Sequence, residues 1–448
     1  MSAAHIAPDA PITHRRVLRI ALPIVVSNAT VPILGLVDTG VVGQLGTPEP
    51  IGAVGLGAVI LTALYWVFGF LRMGTTGLAA QAFGRGDDAE GSALLIRALM
   101  IAGVAGLALV AGRNLLFAGA FAVAPAGAEV ETLARGYMTI RIWSAPAVIA
   151  LYGVTGWLIA QERTGAVLVL QIWMNGVNIA LDLWFVLGLG WGVPGVAVAT
   201  FVAEWSGLAL GLWLCRAAFR APGWRDPARI LDRARLARMA AVNGDILIRS
   251  LLLQAIFVSF MFLGAGMGDV TLAANQILVQ FLEVTAYALD GFAFAAEALV
   301  GQAFGAGAVA RLRRGALLAG LWAGVAAALL ATAFALFGPW AIDVMTTAPD
   351  VRLVTRDYLP WMVAVPILGL LPWMLDGVFV GATRTADMRN MTALAFAIYV
   401  AAAAALVPVF GNHGLWMALL VSFVARGVTL AWRYPALERA AAAGGAAP

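Results

Sequence analysis

Twelve long apolar runs dominate the chain, separated by short loops that hold most of its arginines. About 20 apolar residues in a helix cross roughly 30 Å of hydrocarbon. A backbone in lipid must satisfy its own hydrogen bonds, so runs of this length fold as helices and not as open strands. They cover residues 17–42, 51–82, 92–123, 133–160, 164–188, 193–219, 240–265, 271–304, 312–340, 353–381, 388–410 and 413–432. Over 448 residues, 62% are hydrophobic and 12% charged, whereas soluble domains carry about 25% charge. That deficit excludes a soluble enzyme, a secreted module and a disordered scaffold. The expected class is an all-α integral membrane protein with 12 transmembrane helices.

The basic residues are all arginine, and they report topology. About twenty, including Arg15, Arg16, Arg225, Arg229, Arg233, Arg235, Arg311, Arg313 and Arg314, lie at the termini and in the even-numbered loops, and about four, Arg113, Arg135, Arg352 and Arg356, in the odd-numbered ones. Positive residues stay on the cytoplasmic side, so both termini are expected inside a bacterial inner (plasma) membrane and the span number must be even. The net charge of +4 therefore implies no nucleic acid partner. Residues 1–14 lack an apolar core, and no cleaved signal peptide is expected. One cysteine, Cys215, and three histidines, His5, His14 and His413, leave no disulfide framework, metal cage or haem ligation pattern. No metal centre and no cofactor are expected. Enzymatic chemistry is not expected either, since only His413 approaches a span and a nucleophile needs a positioned base.

The chain also repeats itself. QAFGRG at 81–86 and QAFGAG at 302–307 each close an apolar run, 221 residues apart. The same offset maps Gly156 onto Gly377, Arg163 onto Arg384 and Thr164 onto Thr385, and GLGWGVPG at 188–195 roughly matches FGNHGLW at 410–416. Six spans per repeat return the chain to the same side, so two pseudo-symmetric lobes are expected about an axis along the membrane normal. The reading places a flexible N-terminal tail at 1–14, the N-lobe at 15–219, a cytoplasmic linker at 220–238, the C-lobe at 239–434 and a flexible C-terminal tail at 435–448. The arginine-rich linker is the natural hinge, and two such bundles favour a secondary transporter.

Ionisable groups inside spans are costly unless paired or wetted, which makes them informative. Asp38 lies about six residues, or roughly 9 Å, below the outer end of the first span. Asp182 and Thr200 lie at the same distance from the outer ends of the fifth and sixth. Asn178 shares a face with Asp182, one turn away. Two carboxylates, an amide and a hydroxyl at one depth supply oxygen ligands for a small cation, Na+ included, or a carboxylate pair that holds a proton, because neighbouring carboxylates out of water resist joint ionisation. The competing reading locks Asp38 and Asp182 to Arg72 or Arg141. Pro23 interrupts hydrogen bonding in the first span and marks a bend. On the eighth span Glu283, Asp290 and Glu297 recur every seven residues with Tyr287 beside them, and Asp245 and Arg249 on the seventh are their expected partners. This set is read as a structural charge network or as a substrate-attracting one. Glu204 and Asp376 are weaker candidates.

Four segments carry a family resemblance: LPIVVSNATVPILGLVDTGVVGQLG (22–46), NIALD (178–182), PGVAVAT (194–200) and YALDGFAFAAEALVGQAFG (287–305). They resemble the multidrug and toxic compound extrusion (MATE) family, and most closely its DNA-damage-inducible F (DinF) branch, over about residues 18–434. The resemblance implies a V-shaped pair of six-helix lobes of the MATE/MOP type, exporting cationic or amphipathic drugs in exchange for H+ or Na+. It also implies that Asp38 is the coupling carboxylate, that Asn178, Asp182 and Thr200 complete the ion site, and that Pro23 is the bend point. Asp290 and Glu297 are partly familiar, whereas Glu283 is not. The expectation is a monomeric multidrug efflux antiporter working by alternating access in the lipid bilayer. The alternative is a lipid-linked saccharide flippase, which would favour a more cationic cleft than these spans provide.

Overall fold

Lipid offers no partner to an N–H or C=O group, and the described residues accordingly form helices and turns without any strand. The computed structural model describes residues 10–444. The chain runs through α1 (His14–Ala29), α2 (Val31–Gly43), α3 (Glu49–Trp66), α4 (Phe70–Gly84), α5 (Asp88–Ala111), α6 (Arg113–Val123), α7 (Ala128–Arg141) and α8 (Ala145–Ala160). It continues through α9 (Thr164–Asp182), α10 (Val193–Leu214), α11 (Pro227–Ile230), α12 (Arg233–Ala265), α13 (Asp269–Gly305), α14 (Val309–Met345), α15 (Pro349–Gly381) and α16 (Thr385–Ala442). Single 3₁₀ turns join α3 to α4 and α7 to α8 into continuous spans.

Ten helical segments among the described residues are long and apolar enough to cross a membrane. Two local features bring these into line with twelve spans. First, α1 and α2 together cover the first run, divided at Thr30 with Pro32 in the opening turn of α2. Second, α16 has 58 residues, about 87 Å if straight, and is interrupted at Gly411, where φ is 54° and ψ −131°. The chain doubles back there. A Cβ on Gly414 would stand 2.3 Å from the Leu406 carbonyl oxygen, a residue that a straight helix would hold about 12 Å away.

The internal repeat appears in the packing itself. A Cβ on Gly156 would meet the Arg72 carbonyl oxygen at 2.4 Å, and one on Gly377 would meet the Ala293 carbonyl oxygen at 2.5 Å. Both members of the second pair lie 221 residues after those of the first. The QAFG motifs cross reciprocally: Gly84 sits over the Gln302 carbonyl and Gly305 over the Gln81 carbonyl, at 2.0 and 2.2 Å from the would-be Cβ atoms. Without a hydrophobic force between helices in lipid, such small-residue contacts supply the attraction through close van der Waals packing. The two hairpins agree as well. Gly192 has φ 59° and ψ −138°, close to the values of Gly411, and each opens a Gly-x-x-Gly turn.

Two compact units result. One comprises the chain up to Val25, Thr76–Gly86 and everything from Ala237 onward; the other comprises Val26–Thr75 and Asp87–Leu236. This differs from a plain division at the linker, because residues up to 25 and the end of α4 pack with the second half. The crossing QAFG motifs are one cause, and the hydrogen bond from Arg314 Nε to the Ile12 carbonyl, 2.7 Å, is another. The segment expected to be a loose hinge is likewise fastened to the second unit. Arg97 donates to the carbonyls of Ile230 (3.0 Å) and Arg229 (2.6 Å) and pairs with Glu90 at 2.7 Å. Arg235 also pairs with Glu90, and Gly223 lies against the Ala89 carbonyl.

The expected flexible tails need correction where they are described. Ile12 is buried in the N-terminal one, and α16 carries the C-terminal one as helix to Ala442 with Leu437 and Ala441 buried. Apolar side chains at those positions have core to cover. The remaining parts, 1–9 and 445–448, lie outside the described residues.

Gly377→Ala should lower the unfolding temperature of the detergent-purified protein, by an amount equivalent to about 1–3 kcal/mol, as overpacking does. Gly320→Ala, whose Cβ would meet nothing within 4 Å, should raise it slightly, since alanine favours the helix by up to about 1 kcal/mol. Scanning fluorimetry distinguishes the two signs.

Candidate functional site

One face of α9 is polar although the helix crosses an apolar layer. Gln171, Asn175, Asn178 and Asp182 recur at spacings of three and four residues, which aligns them along one side. Directly after Asp182 the helix widens into a π-helix over Leu183–Gly188, an irregularity often found at functional sites. This face meets α2, which brings Asp38, and α10, which brings Thr200. Asp182 is fully buried, Asn178 and Thr200 are buried and Asp38 is half-buried. The four residues that the sequence places at one depth are thus brought into contact.

The Asn178 amide ties them together, and its orientation follows from the surrounding network. With its nitrogen toward the carboxylates, it donates to Asp182 Oδ2 and Asp38 Oδ1, both at 3.1 Å, while its oxygen accepts from the Thr200 hydroxyl at 3.0 Å. With the amide reversed, the nitrogen donates to Thr200 Oγ1 at 3.0 Å and the hydroxyl turns to the Val196 carbonyl at 3.0 Å. In that orientation the amide oxygen faces two carboxylate oxygens. Three acceptors then converge with no hydrogen between them, which is why the first orientation is the one assigned. The two carboxylates are also within hydrogen-bonding reach of each other, and Asp182 Oδ1 is buried without a partner.

Neither carboxylate is paired with an arginine among the described residues. Arg141 is engaged elsewhere: its Nη1 pairs with Glu204 Oε2 at 2.5 Å, and its carbonyl accepts from the Tyr65 hydroxyl at 3.0 Å. Two features were missed by the sequence reading. The Arg141–Glu204 pair crosses from α7 to α10 within electrostatic reach of Asp38. Asn175 Nδ2 donates to Thr30 Oγ1 at 3.0 Å and its Oδ1 accepts from Gln171 Nε2 at 2.9 Å, so the α9 face also grips the break between α1 and α2. Extending the Asn178–Asp182 face by one more turn would have found Asn175.

Pro23 lies inside α1, which stays helical past it to Ala29, and the first run divides at Thr30. Both residues flank a position of interest, since the boundary between compact units falls at Val25 and Val26. Asp245 and Arg249 do not form a network about Asp290. Asp245 accepts from Arg389 Nη1 at 2.5 Å and from the Thr385 hydroxyl at 3.0 Å, and Arg249 pairs with Asp376. On α13 the acidic stripe is not uniform: Glu283 is exposed, Tyr287 and Asp290 are half-buried and Glu297 is buried. The seven-residue spacing aligns these residues but does not determine what each one meets.

Fold and site together define a multi-pass helical membrane protein, built from a duplicated six-span unit and holding a carboxylate pair inside its spans. The MatE family model matches it twice, over residues 23–184 and 246–406, one match in each half. The chain is 38% identical to DNA damage-inducible protein F of Escherichia coli over 423 residues, covering 92% of this chain and 91% of that protein. It is 28% identical to the probable multidrug resistance protein NorM of Pseudomonas aeruginosa, covering 94% and 89%. Among solved structures, an outward-facing multidrug resistance MATE family transporter of the MOP superfamily superimposes with a TM-score of 0.84 at 19% identity, covering 98% of this chain and 100% of that one. A MOP superfamily transporter from Pyrococcus furiosus gives 0.87 at 18% identity, covering 98% and 99%. The chain belongs to the MatE family of membrane transporters. Its fold is of the MATE/MOP type, and its long apolar helices make it a multi-pass membrane protein.

Glu204→Gln should destabilise the protein by about 3–5 kcal/mol, because it leaves the Arg141 guanidinium buried without its counter-charge. The check is the unfolding temperature in detergent, with Glu204→Asp expected to retain part of the loss.

Proposed function

We propose that this transporter is a secondary antiporter that exports organic cations and amphipathic compounds in exchange for H+ or Na+, and that the exchange takes place at Asp38, Asn178, Asp182 and Thr200. The observation that carries this reading is the meeting of two carboxylates within the membrane, tied by one amide and ion-paired with no arginine among the described residues. The multidrug relatives point the same way for the substrate class.

The amide supplies a physical link between ion and helix. In the ion-free state the Asn178 nitrogen satisfies both carboxylates, and Thr200 gives its hydroxyl hydrogen to the amide oxygen. A cation entering between the carboxylates favours the reversed amide, whose oxygen joins those of Asp38 and Asp182. Thr200 then turns its hydrogen to the Val196 carbonyl, so ion occupancy changes a bond within α10. The same α9 face holds Thr30 through Asn175, which couples the site to the α1–α2 break. Pro23 withholds an N–H from the Arg19 carbonyl and provides a second place to bend. Each inward elementary charge contributes about 2.3 kcal/mol per 100 mV of membrane potential. Coupling follows from the different affinities of two states for ion and drug. In this reading both termini are cytoplasmic and residues 15–219 and 239–434 act as the two lobes.

Asp38→Asn and Asp182→Asn proteins, reconstituted at wild-type levels, should lose export of a fluorescent organic cation by on the order of tenfold or more, which corresponds to about 1.4 kcal/mol or more of lost coupling. Imposing pH and Na+ gradients separately on wild-type proteoliposomes should show a response that both substitutions abolish. Undiminished gradient-driven efflux in either variant would remove that carboxylate from the mechanism.

A further inference from the structure

The unit that contains α13 to α16 holds a second buried charge cluster of opposite sign. Arg249 of α12 and Asp376 of α15 form an ion pair, and Arg426 Nη2 of α16 approaches the same carboxylate oxygen at 3.8 Å. Their side chains are 13%, 9% and 5% exposed. All three helices are apolar spans. Two guanidinium groups share one carboxylate, so the cluster has a formal charge of +1 in a region where unmatched charge is strongly disfavoured.

Its bonding is also incomplete. Arg249 Nε, Arg426 Nε and Asp376 Oδ1 are buried and have no hydrogen-bond partner. Native interiors rarely leave such groups open without reason. The Arg426 guanidinium carbon stands 5.8 Å from the ring centre of Trp373 and 5.9 Å from that of Phe423, so flat apolar surfaces flank the charge.

The repeat does not share this cluster. Gly377 corresponds to Gly156 and Gly411 to Gly192, which places Thr155 opposite Asp376 and Gly207 opposite Arg426. The first half carries neutral residues at these two positions, and its own ion pair between the corresponding spans joins Arg141 to Glu204 instead.

We infer that Arg249 and Arg426 form a binding site for an amphipathic organic anion, with a carboxylate or sulfonate head and a flat apolar body. Asp376 is the resident substitute for that head when the site is empty. An arriving anion takes the open guanidinium hydrogens and weakens the hold on Asp376, while its body lies against Trp373 and Phe423. The site goes beyond the cation-exchange reading and does not depend on Asp38 or Asp182.

The test is saturable binding of 2-naphthalenesulfonate to the full-length protein in phosphatidylcholine nanodiscs, measured by equilibrium dialysis. Arg249→Gln and Arg426→Gln should each weaken it by about tenfold or more, the loss expected for one charge-assisted hydrogen bond. Asp376→Asn should tighten it, because a competing carboxylate is removed. Asp38→Asn should leave it unchanged, which separates failure here from failure of the proposed exchange site. The matching cation, 2-naphthyltrimethylammonium, should not gain affinity in Asp376→Asn. If the arginine variants do not fold, the sign of the Asp376→Asn effect decides the question. No saturable sulfonate binding to the wild type, or weaker binding in Asp376→Asn, overturns the proposal. Suppression of binding by phosphatidylglycerol in the nanodisc would assign the site to a lipid headgroup and overturn the substrate reading as well.

Discussion

Hydrocarbon solvates neither a peptide group nor a charge, and most features of this protein follow from that. Backbone polarity is satisfied within helices, so the chain becomes a series of spans. Attraction between spans then rests on surface fit, and glycines at Gly84, Gly156, Gly305 and Gly377 let one backbone approach the carbonyls of another. Charges inside spans must find partners or serve a purpose. Arg141 finds Glu204, and Asp245 finds Arg389. Asp38 and Asp182 find each other and an amide.

Duplication gives the two halves equal architecture but not equal chemistry. The contacts of Gly156 and Gly377, and the glycine turns at Gly192 and Gly411, are preserved in detail. The buried polar groups are not. The first half gathers two carboxylates around Asn178 with no arginine bonded to either, and the second gathers two arginines around Asp376. Backbone packing tolerates little change because a Cβ added at a close contact collides with a carbonyl. A polar side chain at the same level can differ freely as long as its own bonds are met.

The α9 helix shows how sequence and structure share the explanation. Asn178 and Asp182 are one turn apart, so any helix puts them on one face, and the depth argument adds Asp38 and Thr200 from counting alone. The Asn175–Thr30 bond is harder to foresee, since it depends on where α1 stops. Pro23 and Pro32 are both plausible points of interruption in a sequence, and packing of Asn175 against Thr30 favours the second. The expected network of Asp245, Arg249 and Asp290 failed for a similar reason. Helical spacing says which residues share a face, whereas Arg249 reached across to α15 and Asp245 to α16.

By itself the sequence determined the membrane class, the number of spans, the duplication and the common depth of four polar residues. Each of these depends on local quantities: apolar length, residue spacing along a helix and distance from a span end. Only the tertiary structure decided which charge pairs with which, where the first span breaks, that the arginine-rich segment is clamped by Arg97 and Glu90, and that Arg426 joins Arg249 at Asp376. Those outcomes depend on the rotation and mutual position of helices far apart in the chain, and long polar side chains reach several partners until packing selects one.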